Sequence, residues 1–353
     1  MNKIALNINK KAYSGFESVL IYKSMLNISG AFAVALNNFY IGGSPSDGIK
    51  LGHACKLEIE DQPVLTGWVD RMPLRYGYDF NTLEIGGRDK TCDLVDCSHD
   101  SVPNEWKKQA VENIIKNLCS PFGISVTVDK SALSEANTKV ETFKANEGQY
   151  VYEIITELCR DNSIIPISYG DGKLTLTKAT TDKYASDGLM TGVNIDGAYL
   201  NQGDANRYSS YKVKGQGVGD DTKALDDFVS CCGTFEDEII DRYRPLVMFS
   251  DLATTLGGCQ RKAKWEARVH AGISRRIEYQ TPSWCQENGK IWEINTLVKV
   301  RDDIFGLDTT LLLMDITYIY NKERGQIAKL GLVDKDTFNL SDNKILIKTG
   351  FDK

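Results

Sequence analysis

Residues 64–98, VLTGWVDRMPLRYGYDFNTLEIGGRDKTCDLVDCS, constrain the fold more than any other part of this chain. Val64, Thr66 and Trp68 alternate with Leu65, Gly67 and Val69, the two-residue period of a strand. Gly77, Asp79 and Asn81 supply a turn over 76–81, because these residue types accept tight backbone angles. Residues 82–86 return as a second strand with Leu83 and Ile85 on one side. After Gly86-Gly87 the pattern predicts one short helical turn over 89–96, with Asp89 as N-cap and Leu94 and Val95 pressed back on the sheet. Such a stretch finishes a β-barrel and lets the chain leave it at a fixed angle. It holds no catalytic set.

The same alternation fills residues 1–62, in 4–8, 18–22, 32–36 and 55–59, with Gly42-Gly43-Ser44-Pro45 as a loop signal. A small barrel or sandwich suits these strands, since closure removes exposed edges. The pattern changes at Pro103. Trp106, Ala110, Val111, Ile114, Ile115 and Leu118 form a helical stripe over 104–118, stopped by Pro121 and Gly123. A strand over 124–128 precedes a second helix, with Asn146 as cap and Tyr150, Val151, Ile154, Ile155 and Leu158 on one face. Residues 164–168 and 174–176 make a hairpin around Gly170-Asp171-Gly172. From Arg207 the chain reads as β again, with a flexible GVGDD at 217–221 and a third helix over 251–270. Strands at 276–280, 292–300, 309–320 and 326–333 complete a second barrel. The expected class is α+β, mainly β: two antiparallel β-barrel domains with an inserted α/β lobe.

At 353 residues the chain exceeds what one core usually needs, so two or three domains are expected. No apolar run reaches the ~18 residues of a membrane span, so no membrane insertion is expected. Lys10-Lys11 follow the only early apolar patch, the wrong order for a secretory signal, so synthesis and folding in a cytoplasm are expected. Nine scattered cysteines read as buried thiols. His53, His99 and His270 lie far apart, and Cys92 and Cys97 lack zinc-site spacing, so neither metal nor cofactor is expected. Ser98-His99-Asp100 holds triad residue types, but sequence neighbours cannot face one another in triad geometry. Glu236-Asp237-Glu238 offers carboxylates for sugar hydrolysis, though a solvated acidic hairpin explains it more simply. Gly215, Gly217 and Gly219 lack the spacing of a dinucleotide loop.

Charge is unevenly placed. Asp220, Asp221, Asp226, Asp227, Glu236, Asp237, Glu238 and Asp241 stand against Lys223 alone, whereas Arg261, Lys262, Lys264, Arg268, Arg275 and Arg276 stand against Glu266. Two readings remain open: opposite faces that meet between copies of the chain, or two unrelated solvated surfaces. On the first reading the acidic residues line the inside of a ring. The net charge of −6 argues against tight duplex binding, while an acidic wall would let DNA pass without sticking.

LTGWVD, GRDKT and DLVDCS, followed by PFGISV (121–126), NRYSSYKVKGQ (206–216), RYRPL (242–246), AKWEARVHAGIS (263–274) and GKIWEINTLVKVRD (289–302), resemble the bacteriophage Mu-type 43 kDa tail protein family in block order. That family is the baseplate hub of contractile tails and is related in fold to the T4 hub protein. The loop Gln286-Glu287-Asn288 departs from the pattern, where a longer glycine-flanked turn is expected. The resemblance implies domains at 1–97, at 98–205 with about 241–274, and at 206–240 with 275–345, the third helix joining the middle lobe. It also implies a homotrimer whose six barrels match a six-fold tail tube to a three-fold spike. The partners would be a tail tube or tube-initiator protein and the tail spike protein, in the virion's tail baseplate, with no turnover. Candidate interface residues are Trp68, Arg88, Asp89, Tyr211, Lys214, Arg242, Arg244, Trp265, Arg268 and Trp292. The rivals are a hub of a contractile secretion apparatus and a tail-associated cell-wall hydrolase.

Overall fold

One strand of fifteen residues, Leu307–Asn321, splices the two ends of the chain together. One of its edges pairs along its length with Gly325–Asp334. The other edge is divided. Its first half pairs antiparallel with Thr296–Asp302, from Leu313 opposite Thr296 to Leu307 opposite Asp302. Its second half pairs with the N-terminal strand Ser18–Ser24, from Asp315 opposite Ser24 to Asn321 opposite Ser18. The change of partner falls at a bulge between Leu313 and Asp315, where the Met314 carbonyl accepts from the Met25 amide at 2.8 Å. A bulge adds twist and re-aims side chains, so one strand can serve two neighbours.

The computed structural model describes residues 3–37, 49–78, 81–100, 104–216, 230–250, 252, 255–340, 347 and 349. Among them the fold is mainly β, and the largest sheet has fourteen strands. Its path runs from Gly197–Gln202 through Arg275–Thr281, Gly325–Asp334, Leu307–Asn321, Ser18–Ser24, Asn27–Asn37, Asn81–Asp89, Gln62–Arg71 and Ala54–Ile59 to Ile4–Ile8 and Lys11–Tyr13. The mainly β, antiparallel class is as expected, while no closed barrel is found among the described residues, so the two barrel domains are not borne out. The divided strand joins Ser18–Ser24 of the N-terminal half to the C-terminal half. One continuous core, from Leu6, Ile21 and Leu65 to Leu313, Tyr318 and Leu332, lies against it.

The lobe after residue 91 has a core of its own, built on the helices Val111–Cys119 and Val151–Asp161. Two local expectations are corrected there. Residues 105–110 form a strand rather than the start of a helix, because they pair with Lys139–Lys144 and Trp106 stacks on Phe143 at 5.9 Å. Pairing with a distant strand overrides the helical stripe. The second helix is capped at Tyr150, not Asn146, and the Tyr150 amide donates to the Glu153 carboxylate at 3.3 Å.

Residues 206–250 hold a separate three-stranded sheet, Ser230–Glu236, Ser210–Gln216 and Pro245–Ser250, with Ser210–Gln216 central. It packs through Tyr211, Val213 and Cys231 on Cys259, Ala263 and Ala267 of the long helix Leu256–Ile273. Trp265 and Val269 of that helix turn into the main core instead. The helix thus packs on this small sheet with one face and on the main core with another.

Alternation along Ser18–Ser24 gives a direct check. Ile21 is wholly buried and Leu20 is 48% exposed. Ile21→Ala should cost about 2–4 kcal/mol in urea unfolding, from lost transfer energy plus a cavity. Leu20→Ala should cost less than about 1 kcal/mol.

Candidate functional site

The lobe is fastened to the sheet by a buried polar cluster around Asp89. Strand Asn81–Asp89 runs through this residue, so Asp89 is not the expected N-cap; the helix is Cys92–Asp96 and Thr91 precedes it. Asp89 has no exposed surface, and its carboxylate accepts from the Ser168 hydroxyl at 2.8 Å. Lys23 is 4% exposed and donates to the Tyr169 carbonyl at 2.8 Å. Gly170 follows with φ +91°, and a Cβ there would lie 2.0 Å from the Val64 carbonyl oxygen. Only glycine permits that approach. The Thr66 hydroxyl donates to the Gly170 carbonyl at 2.8 Å, closing the seam.

Burial pushes the Asp89 carboxyl up to about 6, against the opposing pull of Lys23 and the Ser168 hydrogen bond. Burial likewise pulls the Lys23 ammonium down, partly offset by Asp89, Glu293 and Asp171. The two charges favour one another through space without a direct contact, and one Asp89 oxygen, Oδ1, is buried with no hydrogen-bond partner among the described residues, so burial outweighs their attraction.

Arg88, beside Asp89 but on the opposite face, bridges Asp70 at 2.7 Å and Asp96 at 2.6 Å. Its guanidinium holds the Asp96 carboxyl below the usual carboxylate range. Trp68 is half-buried and its indole N–H donates to Asp93 at 3.1 Å. Both side chains thus brace the sheet against the helix Cys92–Asp96.

Of the remaining interface candidates, Tyr211, Trp265, Arg268 and Trp292 are buried within the chain. Tyr211 accepts from the Tyr208 amide at 3.1 Å, Arg268 donates to the Asp336 carbonyl at 3.3 Å, and the Trp292 carbonyl accepts from the Tyr318 hydroxyl. Arg244 is half-buried, 5.6 Å from the Tyr208 ring, and donates to the Ala205 carbonyl at 2.7 Å. Lys214 and Arg242 face solvent.

Of the acidic candidates, Asp220, Asp221, Asp226 and Asp227 lie outside the described residues. Glu236 and Glu238 are exposed, and Asp237 is clamped by Arg207 at 2.6 and 3.1 Å. The basic stretch is directed largely inward. Lys262 pairs with Asp161, and Arg276 pairs with Asp315 at 2.6 Å and Glu278 at 3.2 Å. The Ser98 hydroxyl donates to the Gly148 carbonyl at 3.0 Å, and the His99 ring lies 5.5 Å from Trp106.

Lys23, Ser168, Asp161 and Asp315 were missed by sequence reasoning. Lys23 had a signal: it shares a strand face with Val19 and Ile21, and a lysine on an apolar face needs a buried partner. Asp315, inside LLLMDITYIY, had the same one.

Three segments match phage-tail domains. Residues 3–89 match the N-terminal domain of the Mu phage baseplate assembly protein GpP-like family, and residues 91–178 the second domain of the baseplate hub protein gp44-like family. Residues 255–341 match the fourth domain of the Mu phage baseplate assembly protein GpP. The chain is 29% identical over 343 residues to the baseplate hub protein gp44 of Escherichia phage Mu, covering 96% of this chain and 89% of that protein. It superposes on the 43 kDa tail protein of prophage MuSo2 from Shewanella oneidensis with a TM-score of 0.82 at 29% identity, over 96% and 99% of the two chains. A type VI secretion component of E. coli shares the fold alone, with a TM-score of 0.57 at 9% identity over 93% and 76% of the chains. Fold and matches together define a phage tail protein of the baseplate-hub class. The chain is a homologue of the Mu baseplate hub protein gp44 and matches the 43 kDa tail protein of a Mu-like prophage over nearly its whole length, the resemblance its sequence blocks carry.

Asp89 sets a pH dependence of known sign. Its folded value is raised, so its contribution is fully present below the unfolded value near 4 and lost as pH rises through about 6. Over that window the stability of Asp89→Asn, measured by denaturant titration, should lack a slope worth about 2–3 kcal/mol that the parent chain shows.

Proposed function

We propose that this chain is a mechanical hub: three copies close a ring that joins a six-fold tail tube to a three-fold spike and leaves a channel for DNA. The observation that carries this reading is the spliced sheet. Strands from both ends of the chain share Leu307–Asn321, so two β-rich halves sit at a fixed spacing within each subunit. Three such subunits would offer six β-rich contacts from one gene product, which is what a change from six-fold to three-fold symmetry needs. The near full-length likeness to a Mu baseplate hub supports the same reading.

Within such a ring, the exposed Lys214 and Arg242 and the half-exposed Arg88, Arg244 and Trp68 are the interface candidates that remain available. Large apolar side chains left in solvent add to them, with Tyr243 at 86% and Phe249 at 74% exposure. Glu236 and Glu238 would line the channel and repel phosphate. The tube or its initiator protein and the spike would take the two rims, and nothing in this role calls for turnover.

Light scattering tests the reading. The particle should weigh about three times the 39.3 kDa chain, and the double variant Glu236→Lys/Glu238→Lys should keep that mass while slowing genome delivery from assembled particles. A chain that stays monomeric at high concentration contradicts the ring, and unchanged delivery contradicts the acidic wall.

A further inference from the structure

The small sheet and the long helix bring two thiols into contact. Cys231 lies on the strand Ser230–Glu236 and Cys259 in the first turn of Leu256–Ile273, with their sulfur atoms 3.3 Å apart. The Cys259 thiol also points at the Cys231 carbonyl, 3.7 Å away. Both lie in an apolar setting with Tyr211, Val213, Ala263 and Ala267. The cause of the approach is Gly233, the next residue on the same strand face as Cys231. A Cβ at Gly233 would sit 2.2 Å from the Gln260 nitrogen and 2.3 Å from the Cys259 carbonyl carbon. Its absence lets strand backbone rest on helix backbone, closer than ordinary side chains allow.

We propose that Cys231 and Cys259 form a latent disulfide site, thiols in a reducing compartment and closed to an intrachain cystine when the folded chain meets a small organic disulfide. Cys231 is 7% exposed and Cys259 wholly buried, so Cys231 reacts first. Among the described residues it sits on an edge strand of its sheet, which opens more readily than the centre. The Cys231 thiolate attacks the small disulfide, releasing one thiolate and leaving a mixed disulfide. The Cys259 thiolate then displaces the second. The two protein thiols lose two electrons and two protons, and the small disulfide is reduced to two thiols. Burial pushes the Cys259 thiol up to about 11, so closure is slow at neutral pH and quickens in alkali. The bond would join residues 28 apart in sequence and pin the edge strand to the helix, stabilising chiefly by restricting the unfolded chain. Cys232 does not compete for Cys259, since strand alternation leaves its side chain exposed on the opposite face.

The test uses the full chain incubated natively with 2-hydroxyethyl disulfide. It is then denatured, blocked with N-ethylmaleimide, digested and mapped by mass spectrometry. The expected result is a linked peptide containing Cys231 and Cys259, lighter by two hydrogens than its parts, with a melting temperature raised by about 5 °C. The variant Cys259→Ala should show no linked peptide and no rise. Recovery of Cys231 and Cys259 both alkylated, or of Cys231 joined only to the reagent, would overturn the proposal. Mapping of the unaltered chain decides the matter even where the variant folds poorly.

Discussion

The ladder between Ser18–Ser24 and the second half of Leu307–Asn321 is the contact on which the rest of the structure depends. It joins segments some three hundred residues apart, and each of its backbone hydrogen bonds is made only after most of the chain has been ordered. The entropy of closing so long a loop grows slowly with length, so one good ladder with a continuous core behind it can offset the cost. Ile21, Tyr318 and Leu332 supply that core. The bulge at Asp315 lets a single strand turn from Thr296–Asp302 to Ser18–Ser24. Arg276 holds the displaced carboxylate, which would otherwise be a charge stranded near the core.

The second fastening is electrostatic. Lys23 lies on Ser18–Ser24 and Asp89 on Asn81–Asp89, with Asn27–Asn37 between the two strands, while Ser168, Tyr169 and Gly170 come from the lobe. Removing either ion would leave the other buried without its counter-charge, a far larger loss than an exposed pair would cause. The lobe's position over the sheet is thereby tied to Ser18–Ser24, the strand that pairs with Leu307–Asn321. Rigidity across these parts is supplied by backbone pairing and one polar cluster.

Strand positions were legible because alternation is local: Ile4, Leu6 and Ile8 announce their buried face directly. The family resemblance was legible from blocks such as GKIWEINTLVKVRD and AKWEARVHAGIS. Which strand pairs with which was not, since both edges of Ser18–Ser24 look alike until the partner from residues 315–321 is present. The helical stripe at 104–110 misled for the same reason, as the partner Lys139–Lys144 lies far along the chain. Tryptophans and arginines picked as surface contacts proved divided. Trp265, Trp292 and Arg268 are interior, because large aromatic and long cationic side chains suit cores and interfaces equally well in composition. Lys23 shows the opposite case, a polar residue whose place in an apolar row already required a partner.

Native-state hydrogen exchange tests the central claim most directly. If Leu307–Asn321 makes one body of both ends, amides in Ser18–Ser24 and in Thr296–Asp302 should open with the same free energy, equal to that of global unfolding. Exchange of the Ser18–Ser24 ladder at a distinctly lower free energy, with Thr296–Asp302 still protected, would show two halves that merely touch and would contradict the account.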